Sequence, residues 1–176
     1  MARLSFLGDR MIRAAKLDRG LYEEVEADTG ATRQAMLVVV LSSVAAGIGS
    51  TGNAGLRGLL AVALSALVVW FIWAFITYVI GTKLLPEPQT EADVGQLLRT
   101  IGFASSPGLL RILGIVPGMT GIVFIACALW MLVAMVIAVR QALDYHGTGR
   151  AIAVCLIGWV VQVVIIVLVM MFLGIR

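Results

Sequence analysis

Residues 90–118 read TEADVGQLLRTIGFASSPGLLRILGIVPG, and the reading of this stretch decides how often the chain crosses a membrane. It is a hydrophobic segment with arginines inside it, Arg99 and Arg111, and only the eleven residues 100–110 between them are uncharged. Twelve residues of α-helix rise about 18 Å, which is short of a hydrocarbon core of about 30 Å. The segment can still cross if the two arginines stand near opposite interfaces and their long side chains reach outward. Pro107 removes a backbone donor in the middle, biases Ser106 away from helical angles and is followed by the flexible Gly108. The expectation is a helix over residues 91–104, a break over 105–108 and helix again to about 114. Thr90 reads as its cap, with Glu91 and Asp93 at the positive end of the helix dipole. The hydroxyls of Ser105 and Ser106 are placed to satisfy the freed carbonyls, so the break is expected to be buried against the fourth and fifth spans.

Four longer apolar runs flank this stretch, two before and two after. Residues 34–56 carry no charge, and 58–82 and 151–175 are uncharged runs of similar length. Of 176 residues 61% are hydrophobic and 13% charged, against about 45–50% and about 25% in soluble domains. The fold class implied is an all-α membrane protein, a bundle of five transmembrane helices preceded by short amphipathic helices. Residues 1–30 form the N-terminal part and 31–176 the membrane domain. The spans are expected near 32–50, 57–82, the broken segment, 119–140 and 150–174. The glycine-rich GIGSTGNAG after the first span reads as a short turn. No apolar run of signal-peptide type opens the chain, so the first span is expected to act as its own insertion signal.

Residues 4–16 read as an amphipathic helix capped by Ser5, with Arg10, Arg13 and Lys16 on a basic face. Such a helix fits an anionic membrane surface; the alternative is packing on the protein itself. Asp18 can cap a second, acidic helix, with Leu17 and Tyr22 as a hydrophobic staple, and Thr29 then starts the first span. With the N-terminus cytosolic, ten basic residues lie inside and three, Arg57, Arg111 and Arg176, outside, a positive-inside bias that places the C-terminus outside.

Catalytic chemistry is sparse. The net charge of +3 forms no basic stripe for nucleic acid, and Cys127 and Cys155 read as small buried hydrophobes. No metal-ligand cluster and no cofactor motif is present. His146 reads as a cation at a helix C-terminus. Gln162 reads as interhelical glue, and Ser42, Ser43, Ser65, Ser105 and Ser106 as bonding to their own helices. Arg99 and Arg111 read as interfacial anchors, with lipid phosphates or a solute path as alternatives. Asp144 and Arg150 share the turn with His146, where they could pair with each other or with the acidic helix.

The segments LYEEVEAD, LLRTIGFASSPGLL and LWMLVAMVIAVRQALDYHGTGRAIAV, in that order, resemble the YIP (Ypt/Rab-interacting protein) domain family, its bacterial members most of all. Positions matching its recurring pattern are Tyr22, Glu23, Val25, Asp28, Gly102, Ala104, Pro107, Trp130, Asp144 and Arg150. The resemblance implies a five-span membrane protein with a cytosolic N-terminus; eukaryotic relatives act in vesicle traffic and bind prenylated Rab-type GTPases. The function expected is a non-enzymatic scaffold or adaptor in the bacterial plasma membrane that binds lipids, a protein partner or a second copy of itself. A small-solute carrier using the broken helix is the alternative. Candidate functional residues are Tyr22, Glu23, Asp28, Arg99, Ser105, Ser106, Pro107, Arg111, Asp144 and Arg150.

Overall fold

The computed structural model describes residues 2–51 and 55–172. Regular structure among them is helical: α1 (Ala2–Ala15), α2 (Arg19–Ala27), α3 (Ala31–Thr51), α4 (Gly55–Val79) with a π turn at Ile80–Leu84, α5 (Val94–Ala104), a 3-10 stretch (Ser106–Ile115), α6 (Thr120–Ala142) and α7 (Thr148–Phe172). Four helices are long and apolar enough to cross a membrane: Ala31–Ser50, Arg57–Leu84, Thr120–Ala142 and Thr148–Ile165. They are the four apolar runs. The segment between them consists of two short pieces, 11 and 10 residues long.

Local chemistry sets the boundaries, in places by other residues than the sequence suggests. Ser5 lies inside α1, not at its start. The helix closes with the Asp18 N–H donating to the Arg13 carbonyl at 3.1 Å and the Leu17 N–H to Ala14 at 3.0 Å, with Leu17 left-handed at φ 62. This is the double bond of a Schellman turn, with leucine where glycine is usual. Asp18 caps α2, accepting from the Gly20 N–H at 3.0 Å, and Leu17 and Tyr22 pack in one core cluster as a staple requires. Asp28, not Thr29, leads into α3: its carboxylate accepts from Gly30 at 2.9 Å and its carbonyl from Ala31 at 2.9 Å. Helix α3 continues through the expected glycine turn to Thr51; residues 52–54 lie outside the described residues. Asp93, not Thr90, caps α5, in a capping box with Gln96. Thr90 instead accepts from the Glu87 N–H at 3.0 Å and donates to the Leu143 carbonyl at 3.0 Å, tying two loops together.

The break falls where Pro107 requires it. The carbonyl that Pro107 cannot serve is that of Phe103, four residues back, and the Ser106 hydroxyl donates to it at 2.7 Å. Beyond the break the chain does not return to α-helix, as expected from sequence, but winds as a 3-10 helix to Ile115. The tighter winding is slimmer and rises about 2.0 Å per residue instead of 1.5 Å. It lets the segment lie close against α3. A Cβ on Gly102 would meet the Ala35 Cβ at 2.7 Å, one on Gly108 the Ser42 Oγ at 2.0 Å, and one on Gly49 the Arg111 carbonyl oxygen at 1.9 Å. Contacts at 35, 42 and 49 advance along α3 as 102, 108 and 114 advance along the segment, so the two run parallel over about 21 Å. On the other side α6 runs back, with Met131 against Gly108 and Phe124 against Gly114. The break is therefore buried between α3 and α6, the first and third apolar runs, rather than against α6 and α7.

Helix α7 packs through its first half, where Ala151, Val154, Cys155 and Gly158 are buried. Gln162, farther along, makes no hydrogen bond to the described residues, so it is not the interhelical contact expected of it. Cys127 and Cys155 are buried free thiols.

Close backbone approach gives a sharp expectation. Gly49→Ala should cost about 1–3 kcal/mol through overpacking against a carbonyl that cannot yield. Gly121→Ala, in a helix position with nothing within 4 Å, should be neutral or stabilising. Thermal unfolding of the two variants in one detergent separates the cases; equal melting temperatures would refute the packing account.

Candidate functional site

Two regions collect the polar chemistry. The larger is the end of the bundle where α1, α2, the start of α5 and the loops after α4 and α6 meet. Arg10 is 5% exposed and reaches Glu24 at 2.8 Å and Asp28 at 2.9 Å, while its Nη1 donates to the Gln34 side chain at 2.9 Å. Arg13 reaches Asp18 at 2.8 Å and Glu24 at 2.7 Å. Two of the three cations of the basic face are thus bound to the acidic helix, and α1 packs on the protein itself. Lys16 and Ile12 are exposed, and so is Phe6, whose ring lies over the Arg10 guanidinium at 4.7 Å. Hydrogen bonds from Arg13 and then Arg10 hold the Glu24 carboxyl below its ordinary range, and Arg13 does the same for Asp18.

Arg99 is the keystone of this end. It is buried, and its Nε donates to the carbonyls of Val25 at 2.9 Å and Glu26 at 3.0 Å, with Nη2 also on Glu26. These are carbonyls of the last turn of α2, which lack helical partners, and a cation there also meets the negative end of the dipole. Arg99 straps α2 to α5, its guanidinium turned onto backbone carbonyls of the protein.

A second clasp joins the loops. Glu87, bracketed by Pro86 and Pro88, accepts from the His146 N–H at 3.1 Å and faces the Arg150 Nε at 3.2 Å. The His146 backbone bond comes first among the causes that hold the Glu87 carboxyl below its ordinary range. The Gln89 amide donates to the Asp144 carbonyl at 2.9 Å, Arg150 to the Pro86 carbonyl at 2.7 Å, and the Tyr145 hydroxyl lies within donating reach of Gly81 and Leu85 at 3.1 and 2.8 Å. The His146 ring faces Glu87 at 3.1 Å rather than the end of α6, and Arg140, in the last turn of α6, donates to the loop carbonyls of Tyr145 at 3.2 Å and His146 at 2.8 Å. Asp144 and Arg150 do not pair. Asp144 stands left-handed at φ 52, where the Tyr145 N–H reaches Arg140 at 3.0 Å and its own N–H reaches Gln141 at 2.9 Å. This is a second Schellman turn, and aspartate tolerates it better than most residues.

Of the sequence candidates, Tyr22, Glu23, Asp28, Arg99, Asp144 and Arg150 gather at this end. The buried Tyr22 donates to the Ala14 carbonyl at 3.3 Å, and burial raises its hydroxyl pKa; Glu23 accepts from Gln141 at 2.8 Å. Ser105, Ser106 and Pro107 form the break in the middle. Arg111 stands alone at the far end, over the Phe124 ring at 5.6 Å. Sequence reasoning missed Arg10, Glu24, Glu87 and Gln89 as tie points. The signal for Glu87 was available: an acid held between two prolines in a chain with few other acids after the N-terminal helices.

Two outcomes follow. Arg99→Met should remove about 1.5–3 kcal/mol of charged hydrogen bonding and raise hydrogen exchange over residues 19–27. Lysine at the same position should restore part of it, lacking the fork. Glu26 supplies the pH dependence. Burial, then the charge of Asp144, raises its carboxyl from 4.5 to about 7. The folded state therefore holds the proton more tightly, and stability falls as pH rises from about 4.5 to about 7. Glu26→Gln should flatten that slope and add about 1 kcal/mol at pH 7.5 after allowance for solvent screening. Asp144→Asn should give part of the effect with the turn intact. Melting curves between pH 4.5 and 8 measure both, and a slope unchanged in Glu26→Gln would reject the assignment.

Comparison with family models matches the Yip1 domain over residues 21–171. Comparisons with curated proteins and with solved structures gave no match. The match runs from the first buried residues of α2 to the last turn of α7 and takes in both clasps and the break, and the chain belongs to the Yip1 domain family of membrane proteins.

Proposed function

We propose that this chain is a non-enzymatic scaffold or adaptor of a bacterial plasma membrane, binding lipids and a partner membrane protein through the face that carries α1 and α2. The observation that carries the reading is how the polar groups of that end are used. Arg10, Arg13, Arg99 and Glu87 are engaged in ion pairs and carbonyl caps within the protein, an arrangement that builds a rigid surface. Phe6, over the Arg10 guanidinium, and Ile12 are 56% and 57% exposed, apolar surface on α1 that a membrane or a partner would cover. In this proposal the chain crosses five times, with the α1–α2 end cytosolic. The parallel register of residues 102–114 along α3 and the basic bias of the sequence support that count. The carrier alternative is weakened at its centre, where Gly108 sits directly against Ser42.

Purification in native lipid with mass spectrometry of bound protein tests the role. A partner should co-purify, and Phe6→Asp with Ile12→Asp should reduce its recovery severalfold. Solute uptake by proteoliposomes of the purified chain would instead favour the carrier. For topology, single cysteines at positions 53 and 147 in a background without Cys127 and Cys155 should label from opposite sides. Labelling from one side would mean the broken segment does not cross.

A further inference from the structure

Arg99 and Arg111 flank the break, and among the described residues only Arg99 of the two has hydrogen-bond partners. No hydrogen bond or ion pair joins Arg111 to the described residues, and its Nε is buried without a partner. A desolvated guanidinium inside a membrane protein is costly unless an anion meets it. Arg111 lines an open groove of about 870 Å³ along α6 and α7. The walls are apolar: Ala128, Met131 and Met135 on α6 face Cys155, Leu156 and Trp159 on α7, and among the described residues no acid lines the groove. Its other cations are Arg19 and Arg140, toward the α1–α2 end. Arg140 is already engaged with the carbonyls of its loop, and Arg19 is exposed to solvent. Of the three, Arg111 is the one with a buried nitrogen that no described residue partners. An apolar channel with one unmatched, partly dry arginine has the complementarity of an amphiphile with an anionic head.

We propose that this groove holds an anionic phospholipid of the leaflet facing away from α1 and α2, its phosphate on Arg111 and an acyl chain laid between α6 and α7. The phosphate accepts from the guanidinium, whose planar fork suits it, while Phe124 supports the opposite face of the cation. The proposal goes beyond the function proposed above, which puts lipid at the α1–α2 face: it adds a lipid site in the opposite leaflet and names the lipid class.

The test is native mass spectrometry of the full chain in detergent, offered equal amounts of phosphatidylglycerol and phosphatidylcholine. The chain should retain phosphatidylglycerol in preference. Arg111→Gln should reduce that adduct about tenfold, the scale of one charge-assisted contact, and Arg111→Lys should keep part of it. Ala128→Trp fills the groove and leaves the arginine in place; it should lose the adduct too, which keeps the test open if Arg111→Gln folds poorly. Equal retention of the two lipids, or an adduct unchanged in both Arg111→Gln and Ala128→Trp, would overturn the site. An adduct removed by Arg19→Gln alone would put the headgroup at the opposite end and overturn it as well. Failure of a protein partner to co-purify bears on the adaptor role and leaves these outcomes as they stand.

Discussion

The rest of the structure depends on how closely one backbone can approach another. The broken segment carries a proline, and the backbone carbonyls it frees are costly against lipid. It must be enclosed by protein, and in a membrane helices draw together mainly where small residues let them. Gly102 on Ala35, Gly108 on Ser42 and Gly114 on Gly49 provide that approach at three levels. Helix α3 is the partner that makes this possible, and its own Gly49 lies against the Arg111 carbonyl. A larger residue at any of these levels would push the segment outward and expose its polar break.

Enclosure of the segment fixes the polar end in turn. Once α5 is held against α3, Arg99 points from its buried face at the last turn of α2 and fastens the N-terminal helices to the bundle. Arg99 adds to the ties of Arg10 to Gln34 and Glu23 to Gln141 and to the buried Leu21, Tyr22 and Val25, while the ion pairs between α1 and α2 are each worth little at a surface. Burying Arg99 on carbonyls converts a cost into an attachment, because the carbonyls at a helix end need a donor as much as the cation needs an acceptor. The clasp of Glu87, His146 and Arg150 does the same for the loops following α4 and α6, with the turn at Asp144 delivering His146 to Glu87.

What could be read from the sequence was what local rules govern. The four long spans were legible because length and the absence of charge suffice. The break was legible because proline acts on its own backbone wherever it stands. The Asp18 cap and the amphipathic character of α1 were legible for the same reason. Partners across the fold were not. Nothing in the spacing of Arg10, Arg13 and Lys16 distinguishes a lipid surface from the acids of α2, because both are anionic and both favour a basic face. Thr90 and Asp93 are both competent caps, and the choice was settled by Gln96, which completes the box with Asp93, and by Leu143, which engages Thr90. The resumed α-helix after Pro107 was expected from composition; the close approach to α3, a tertiary fact, favours the slimmer winding instead.

That winding also explains why two arginines of one segment meet opposite fates. Twelve residues of uninterrupted α-helix at about 100° each would place Arg111 about 120° around from Arg99. With half of that distance wound at about 120° per residue the angle becomes about 240°, and Arg111 moves about 3 Å farther along the axis. Arg99 keeps to the side of α2, while Arg111 is turned through a further third of a circle, toward Phe124 and the groove along α6 and α7. A serine that satisfies Phe103 and a proline that cannot do so are together what allows the change of winding. The proline is thus a positioning device as well as a break. Through the change of winding it turns Arg111 away from the side that Arg99 faces.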